Sequence, residues 1–110
     1  MTERKRCKPC EGGVPKLTPA EAVEQGKETP LWEIDDESLA ITRTFKCNRF
    51  TDAVELINKI AEIAEDQGHH PDLHLTGYRN LKVLLTTHAI SGLSENDFIV
   101  AGDIDRVCGS

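Results

Sequence analysis

Residues 51–88, TDAVELINKIAEIAEDQGHHPDLHLTGYRNLKVLLTTH, decide the fold of this chain. In residues 51–67 the apolar side chains recur at helical spacing, with charged side chains on the opposite side. This pattern predicts an amphipathic helix that lies across a sheet. Gly68 predicts its end, because glycine readily takes the left-handed conformation that closes a helix. The apolar stripe consists of Ala53, Val54, Ile57, Ile60, Ala61 and Ala64.

After Pro71 the apolar spacing changes to a period of two, which is typical of strands. Residues 72–78 and 81–87 therefore predict a hairpin that turns at Arg79 and Asn80. Gly77 interrupts the first strand pattern and predicts a β-bulge. The alternating residues are Leu73 and Leu75 in the first strand and Leu81, Val83 and Leu85 in the second.

Upstream, LWEID (residues 31–35) and LAITRTFKC (residues 39–47) predict another hairpin. Both are rich in β-branched or aromatic residues, and a polar turn at residues 35–38 joins them. Capping-box patterns at Thr18 and Ser94 predict the starts of two further helices, the first of which ends at Gly26.

The predicted order is therefore helix, hairpin, helix, hairpin, helix. It indicates an α+β fold, a four-stranded antiparallel sheet with three helices packed on one face. A length of 110 residues fits one domain. We expect this domain to span residues 18–110, with residues 1–17 as an N-terminal tail or arm.

Composition excludes several classes of function. The net charge of −6 argues against direct binding of nucleic acid, which requires a clustered basic surface. No apolar run is long enough to cross a bilayer, and no secretory signal is present, so we expect no membrane association. The expected location is intracellular, in the cytoplasm, with an organelle as the open alternative. The scattered cysteines, Cys7, Cys10, Cys47 and Cys108, are expected to be reduced thiols.

All four histidines lie between positions 69 and 88. His69 and His70 fall on a corner between the helix-ending Gly68 and Pro71, whose ring favours extended geometry in the residue before it. His88 ends the second strand of the hairpin, and a hairpin returns its far end next to its start. Three imidazoles are therefore predicted to converge, whereas His74 is expected to be an exposed strand residue.

Other interpretations of these residues remain open. A single loop histidine is often only a solvated surface residue. Three imidazoles can also form a catalytic zinc site. However, adjacent histidines seldom point at one metal and no H-E-x-x-H pattern is present, so we expect no metal and no cofactor.

Glu65 and Asp66 are unfavourable for the dipole at the end of their helix, which indicates either carboxylates that orient imidazoles or an ordinary solvated helix end. Cys7 and Cys10 form one C-x-x-C pair without a second.

The pattern Glu65-x3-His69-His70-Pro71-x6-Tyr78-x9-His88-x8-Asp97 resembles the signature of the pterin-4a-carbinolamine dehydratases. These proteins are also called dimerisation cofactors of a homeodomain transcription factor. The resemblance extends over about residues 18–107 and includes the TTH and GLSENDF segments. CKPCEGG and HHPDLHLTGYRN resemble plant-type members.

The resemblance implies an α+β fold and the loss of water from a 4a-hydroxy-tetrahydropterin to give the quinonoid dihydropterin, a step in tetrahydrobiopterin recycling. It makes His69 and His88 the acid and base, with His70 binding or orienting the pterin or sharing the acid role. The same resemblance implies that Glu65 and Asp97 orient imidazoles. It assigns the substrate site to His69, His70, Pro71, Thr87, His88, Ala89 and Ile90.

The resemblance also implies a homodimer or homotetramer. An alternative function is a protein-binding module that acts as a dimerisation cofactor of a transcription factor. Nothing in the sequence favours that second role beyond the family, although the acidic net charge permits a protein partner.

Overall fold

The computed structural model describes Cys7 and residues 15–108. Within this part, the helices are α1 (Pro19–Gly26), α2 (Phe50–Gln67) and α3 (Glu95–Cys108), and the strands are β1 (Glu33–Ile34), β2 (Ile41–Lys46), β3 (Asp72–Thr76) and β4 (Asn80–Leu85). A short 3-10 helix, His88–Ile90, follows β4. The described strands form one antiparallel sheet in the order β1-β2-β4-β3. The predicted fold, an α+β arrangement of a four-stranded antiparallel sheet with three helices, is confirmed.

The core lies between the sheet and the helices. The two central strands, β2 and β4, pair from Ile41 opposite Leu85 to Lys46 opposite Asn80, so their apolar side chains share one face. α2 and α3 cover this face and contribute Ile60 and Ile104, both fully buried. Burying each such side chain stabilises the fold by about 1.5–3 kcal/mol.

Arg43 interrupts the apolar face of β2, and the fold compensates its charge. Its Nη1 lies 2.6 Å from Oδ1 of Asp105 on α3, and its guanidinium stacks 4.2 Å from the ring centroid of Phe45. The indole Nε1 of Trp32 donates to the same carboxylate oxygen at 2.8 Å. This cluster ties β2 and the segment before β1 to the last helix.

The turn of the second hairpin differs from the prediction. Gly77 and Tyr78 have φ values of +54° and +57°, and Thr76 pairs with Asn80 across them. The turn therefore occupies residues 77–79, so Arg79 lies in the turn as predicted, whereas Asn80 belongs to β4 and the predicted bulge at Gly77 is wrong. Glycine at position 77 takes its positive φ without the steric cost that a side chain would bring.

The helix ends follow their local signals. Thr18 accepts from the backbone N–H of Glu21, whose side chain accepts from the Thr18 N–H, as a capping box requires. Gly68 closes α2 with φ of 68° and ψ of 28°.

Among the described residues, no helix combines the length and the apolar composition that crossing a membrane requires.

Most of the predicted N-terminal arm, including Cys10, lies outside the described residues. The parts that are described touch the domain. The backbone N–H of Leu17 donates to the carbonyl of Leu93 at 2.8 Å, and that of Cys7 donates to Oε1 of the buried Gln67 at 2.9 Å.

Candidate active site

His69 lies at the corner where α2 ends and the chain turns toward β3. The left-handed Gly68 lets the carbonyl of Ala64 accept from the N–H groups of both Gly68 and His69. The ring of His69 is thereby turned into the protein, and the residue is only 5% exposed. Its Nε2 lies 2.6 Å from Oδ1 of Asp97, which is completely buried.

Asp97 also closes the first turn of α3. Its Oδ2 accepts from the backbone N–H of Ser94 at 2.9 Å, while the Ser94 hydroxyl accepts from the N–H of Asn96 at 3.2 Å. These reciprocal bonds are those of a helix N-terminal cap. One carboxylate thus caps a helix and holds an imidazole.

The end of β4 supplies a further donor to this carboxylate. The hydroxyl of Thr87 donates to Oδ2 of Asp97 at 2.8 Å and lies 2.8 Å from the hydroxyl of Ser94. Because Thr87 has a single hydroxyl proton, Ser94 must be the donor between the two hydroxyls. All three side chains, those of Thr87, Ser94 and Asp97, are buried.

This arrangement fixes the tautomer of His69. An ionised carboxylate only accepts hydrogen bonds, so Nε2 of His69 carries a proton. In the neutral ring the lone pair is then on Nδ1.

His70 and Glu65 form a different kind of pair. Nε2 of His70 is hydrogen-bonded to Oε2 of Glu65. Their side chains are 60% and 78% exposed, however, so water weakens this interaction. Pro71, the next residue, is half-buried. The two adjacent histidines therefore have separate carboxylate partners, one buried and one exposed.

His88 lies beyond β4 rather than at the end of a strand. β4 ends at Leu85, and an isolated bridge between Thr87 and Gly92 folds residues 88–91 into a tight loop that contains the 3-10 helix. The predicted strand position of His88 is therefore wrong. His88 and Ala89 are exposed and Ile90 is half-buried. Thr87 brings the start of this loop to the same carboxylate that holds His69.

The remaining histidine, His74, alternates outward on β3 as expected and is exposed. In the part of the chain that the structure describes, no three side chains of His, Cys, Asp or Glu are grouped so that they could hold a metal ion.

A family model described as pterin 4 alpha carbinolamine dehydratase matches residues 15–107 of this chain. The chain belongs to this family. The family expected from the sequence is confirmed, and with it the enzyme class, since the family is one of dehydratases.

Relatives of the dehydratase family match nearly the whole chain. A Methylococcus capsulatus protein named after this dehydratase is 41% identical over 103 residues, which cover 94% of this chain and 90% of the relative. Pterin-4-alpha-carbinolamine dehydratase 2, mitochondrial, from Arabidopsis thaliana is 38% identical over 106 residues, covering 94% of this chain and 57% of the plant protein.

A solved structure shares the fold. The crystal structure of a transcriptional coactivator/pterin dehydratase from Brucella melitensis has a TM-score of 0.78 at 31% identity, and the match covers 84% of this chain and 98% of that one. The hairpin and helix order of this dehydratase-family chain is therefore found in a second protein.

Sequence reasoning on this family member identified Ser94 only as the start of a helix. The signal that it belongs to the candidate site was nevertheless present, because its capping partner three residues on is Asp97, the last residue of the family pattern. The contact between Thr87 and Asp97 had no local signal, since it depends on how the end of β4 packs against α3.

Proposed function

We propose that this protein is a pterin-4a-carbinolamine dehydratase that removes water from a 4a-hydroxy-tetrahydropterin by histidine general acid and base catalysis, within tetrahydrobiopterin recycling. Family membership supports the reaction. The observation that carries the proposed mechanism is the buried His69–Asp97 pair, with Nε2 and Oδ1 separated by 2.6 Å.

The chemistry suits imidazoles. The C4a–O bond of the substrate breaks, and the departing hydroxide takes a proton from an acid and leaves as water. A base removes the proton from N5, and the electron pair of that N–H bond forms the new C4a–N5 double bond of the quinonoid dihydropterin. Atoms and electrons balance without an oxidant or a reductant. Histidine can serve as either acid or base near neutral pH.

We assign the acid and base roles to His69 and His88, and the binding or orientation of the pterin ring to His70, which could share the acid role. Support for His69 comes from its buried carboxylate partner. Support for His70 comes from its position next to His69 and from its contact with Glu65, which would orient the ring as Asp97 orients that of His69.

The substrate site would lie between the corner after α2 and the loop after β4. Pro71 would line it on one side and Thr87, His88, Ala89 and Ile90 on the other, partly through backbone groups. The exposure of His88 and Ala89 is consistent with a site that opens to solvent.

Stopped-flow measurement of the dehydration of a synthetic 4a-hydroxy-tetrahydropterin tests the proposal. His69→Ala and His88→Ala should each slow turnover by on the order of 10²-fold or more, because each removes a general acid or base. His74→Ala is the matched control, since His74 is exposed on β3. A chelator should leave turnover unchanged. Wild-type rates in both site variants would overturn the histidine mechanism.

A second candidate function is supported by the Brucella melitensis neighbour, whose name joins a coactivator to a pterin dehydratase. In that case the chain would also bind a transcription factor and act as its dimerisation cofactor. Capture of such a partner by wild-type and His69→Ala protein alike would favour this role, because it should not depend on the imidazole.

We also propose a homodimer or homotetramer, which light scattering on the purified protein would distinguish from a monomer. The proposed location is intracellular. The cytoplasm and an organelle are both open, and the Arabidopsis relative, named as mitochondrial, supports the organelle. Localisation of a tagged full-length protein would decide between them.

A further inference from the structure

The hydroxyl groups of Thr87 and Ser94 form a chain of hydrogen bonds that ends on Asp97. The N–H of Asn96 donates to the Ser94 hydroxyl, this hydroxyl donates to Thr87, and Thr87 donates to Oδ2 of Asp97. Every donor in the chain points toward the carboxylate. Such aligned hydrogen bonds polarise one another inside a protein, where water does not compete.

The two oxygens of Asp97 have separate partners. Oδ2 receives the Thr87 hydroxyl and the Ser94 backbone N–H, while Oδ1 lies against Nε2 of His69. With Oδ2 held from two directions, the carboxylate plane cannot rotate without breaking a buried hydrogen bond. The direction in which Oδ1 faces His69 is therefore set by Thr87 and Ser94.

We propose that Thr87 and Ser94 are positioning residues of the dehydratase, whose hydroxyl groups hold Asp97 so that His69 keeps its proton on Nε2 and exchanges protons through Nδ1. This inference rests on the proposed function for its effect on turnover. It gives the Thr87 side chain a role separate from substrate contact, which its backbone can still make. Ser94 gains a role beyond helix capping.

Substitutions of the two hydroxyl-bearing residues should lower kcat to different extents. Thr87→Val keeps the shape of the side chain but removes the donor to Asp97, so kcat should fall by about 10- to 100-fold, the value of one hydrogen bond to a charged group. Ser94→Ala acts one bond further away and leaves the Ser94 backbone donor in place, so its effect should be smaller. Thr87→Ser retains a hydroxyl and should restore most of the rate.

KM separates positioning from substrate contact. If the Thr87 hydroxyl acts only through Asp97, Thr87→Val should leave KM within about twofold of wild type while kcat falls. A raised KM with an unchanged kcat would show that this hydroxyl binds substrate, and would overturn the proposal. Thr44→Val, which removes an exposed hydroxyl from β2, is the matched control and should change neither constant.

Nuclear magnetic resonance gives a readout that does not depend on turnover. In protein labelled with ¹⁵N-histidine, the His69 signals, assigned by their absence in His69→Ala, should show a protonated Nε2 with a low-field proton. Thr87→Val should weaken this signal and raise the population of the other tautomer, and Thr87→Ser should restore it. An unchanged His69 spectrum in Thr87→Val would overturn the proposal.

The two readouts distinguish the possible failures. Wild-type protein without dehydratase activity, but with the expected change of tautomer in Thr87→Val, would reject the proposed function and leave the positioning role standing. Active wild-type protein with an unchanged tautomer would reject the positioning role alone. If Thr87→Val does not fold, the same spectrum of Ser94→Ala tests the positioning role. A change in the His69 signals would support it, and unchanged His69 signals would overturn it.

Discussion

Asp97 and His69 are 28 residues apart in the chain, yet Oδ1 of one lies 2.6 Å from Nε2 of the other, and both are buried. The pair joins the corner after α2 to the first turn of α3. Breaking a buried hydrogen-bonded pair of this kind from one side is destabilising, because the remaining polar group loses this partner away from water.

We expect Asp97→Asn to reverse the tautomer of His69. An amide nitrogen facing Nε2 would donate rather than accept, which moves the ring proton to Nδ1. Dehydration should slow by on the order of 10²-fold or more, measured by stopped flow. Asp36→Asn, at an exposed position, is the control. A rate within twofold of wild type would show that the carboxylate has no part in the reaction.

Glu65→Gln tests the exposed partner of His70. Both side chains are mostly exposed, so the free energy of unfolding should change by less than about 1 kcal/mol. If Glu65 acts on turnover through His70, its effect on kcat should vanish in the His70→Ala background. A double-mutant cycle measures this coupling, and additive effects on kcat would mean that the two residues act independently.

Gln67→Ala should destabilise the fold. The side chain is buried, its Nε2 donates to Oδ2 of the buried Asp103 at 2.8 Å, and its Oε1 accepts from the N–H of Cys7. The substitution removes one hydrogen-bond partner from the Asp103 carboxylate and one from the Cys7 N–H, so the free energy of unfolding should fall by about 1–3 kcal/mol. Urea unfolding measures the loss. Asn58→Ala, an exposed amide on the same helix, should have little effect, and equal losses in both variants would contradict the expectation.

Cys108, the last residue of α3, should react slowly with iodoacetamide. Burial raises the pKa of its thiol above the ordinary value, so less thiolate is present at a given pH. Peptide mapping by mass spectrometry should show slower alkylation than that of glutathione under the same conditions, and the difference should disappear in urea. Equal rates in the folded state would contradict the raised pKa.

Local signals were sufficient for most of the fold. The capping residue Thr18 and the glycine at position 68 mark helix ends through bonds within a few residues of the chain, and both function as predicted. The turn at Gly77 was misread because a glycine within an alternating pattern fits either a bulge or a turn. Only the pairing of Thr76 with Asn80 distinguishes the two.

The candidate site was less accessible to sequence reasoning. Family resemblance, rather than spacing, singled out Asp97, and the loop that holds His88 gave no local signal of its 3-10 conformation. The bonds from Thr87 and Ser94 to Asp97 join the end of β4, the start of α3 and the corner after α2. Contacts between segments distant along the chain depend on packing that no local pattern encodes.

The double use of Asp97 has a consequence for biosynthesis. When the ribosome has synthesised both hairpins and α2, the Asp97 carboxylate that contacts the ring of His69 has not yet been synthesised. The ring gains this partner only after α3 has been synthesised and has formed its first turn. If His69 acts as proposed, catalytic activity requires that the first turn of α3 has formed, and fraying of that turn would abolish turnover while the rest of the domain stays folded.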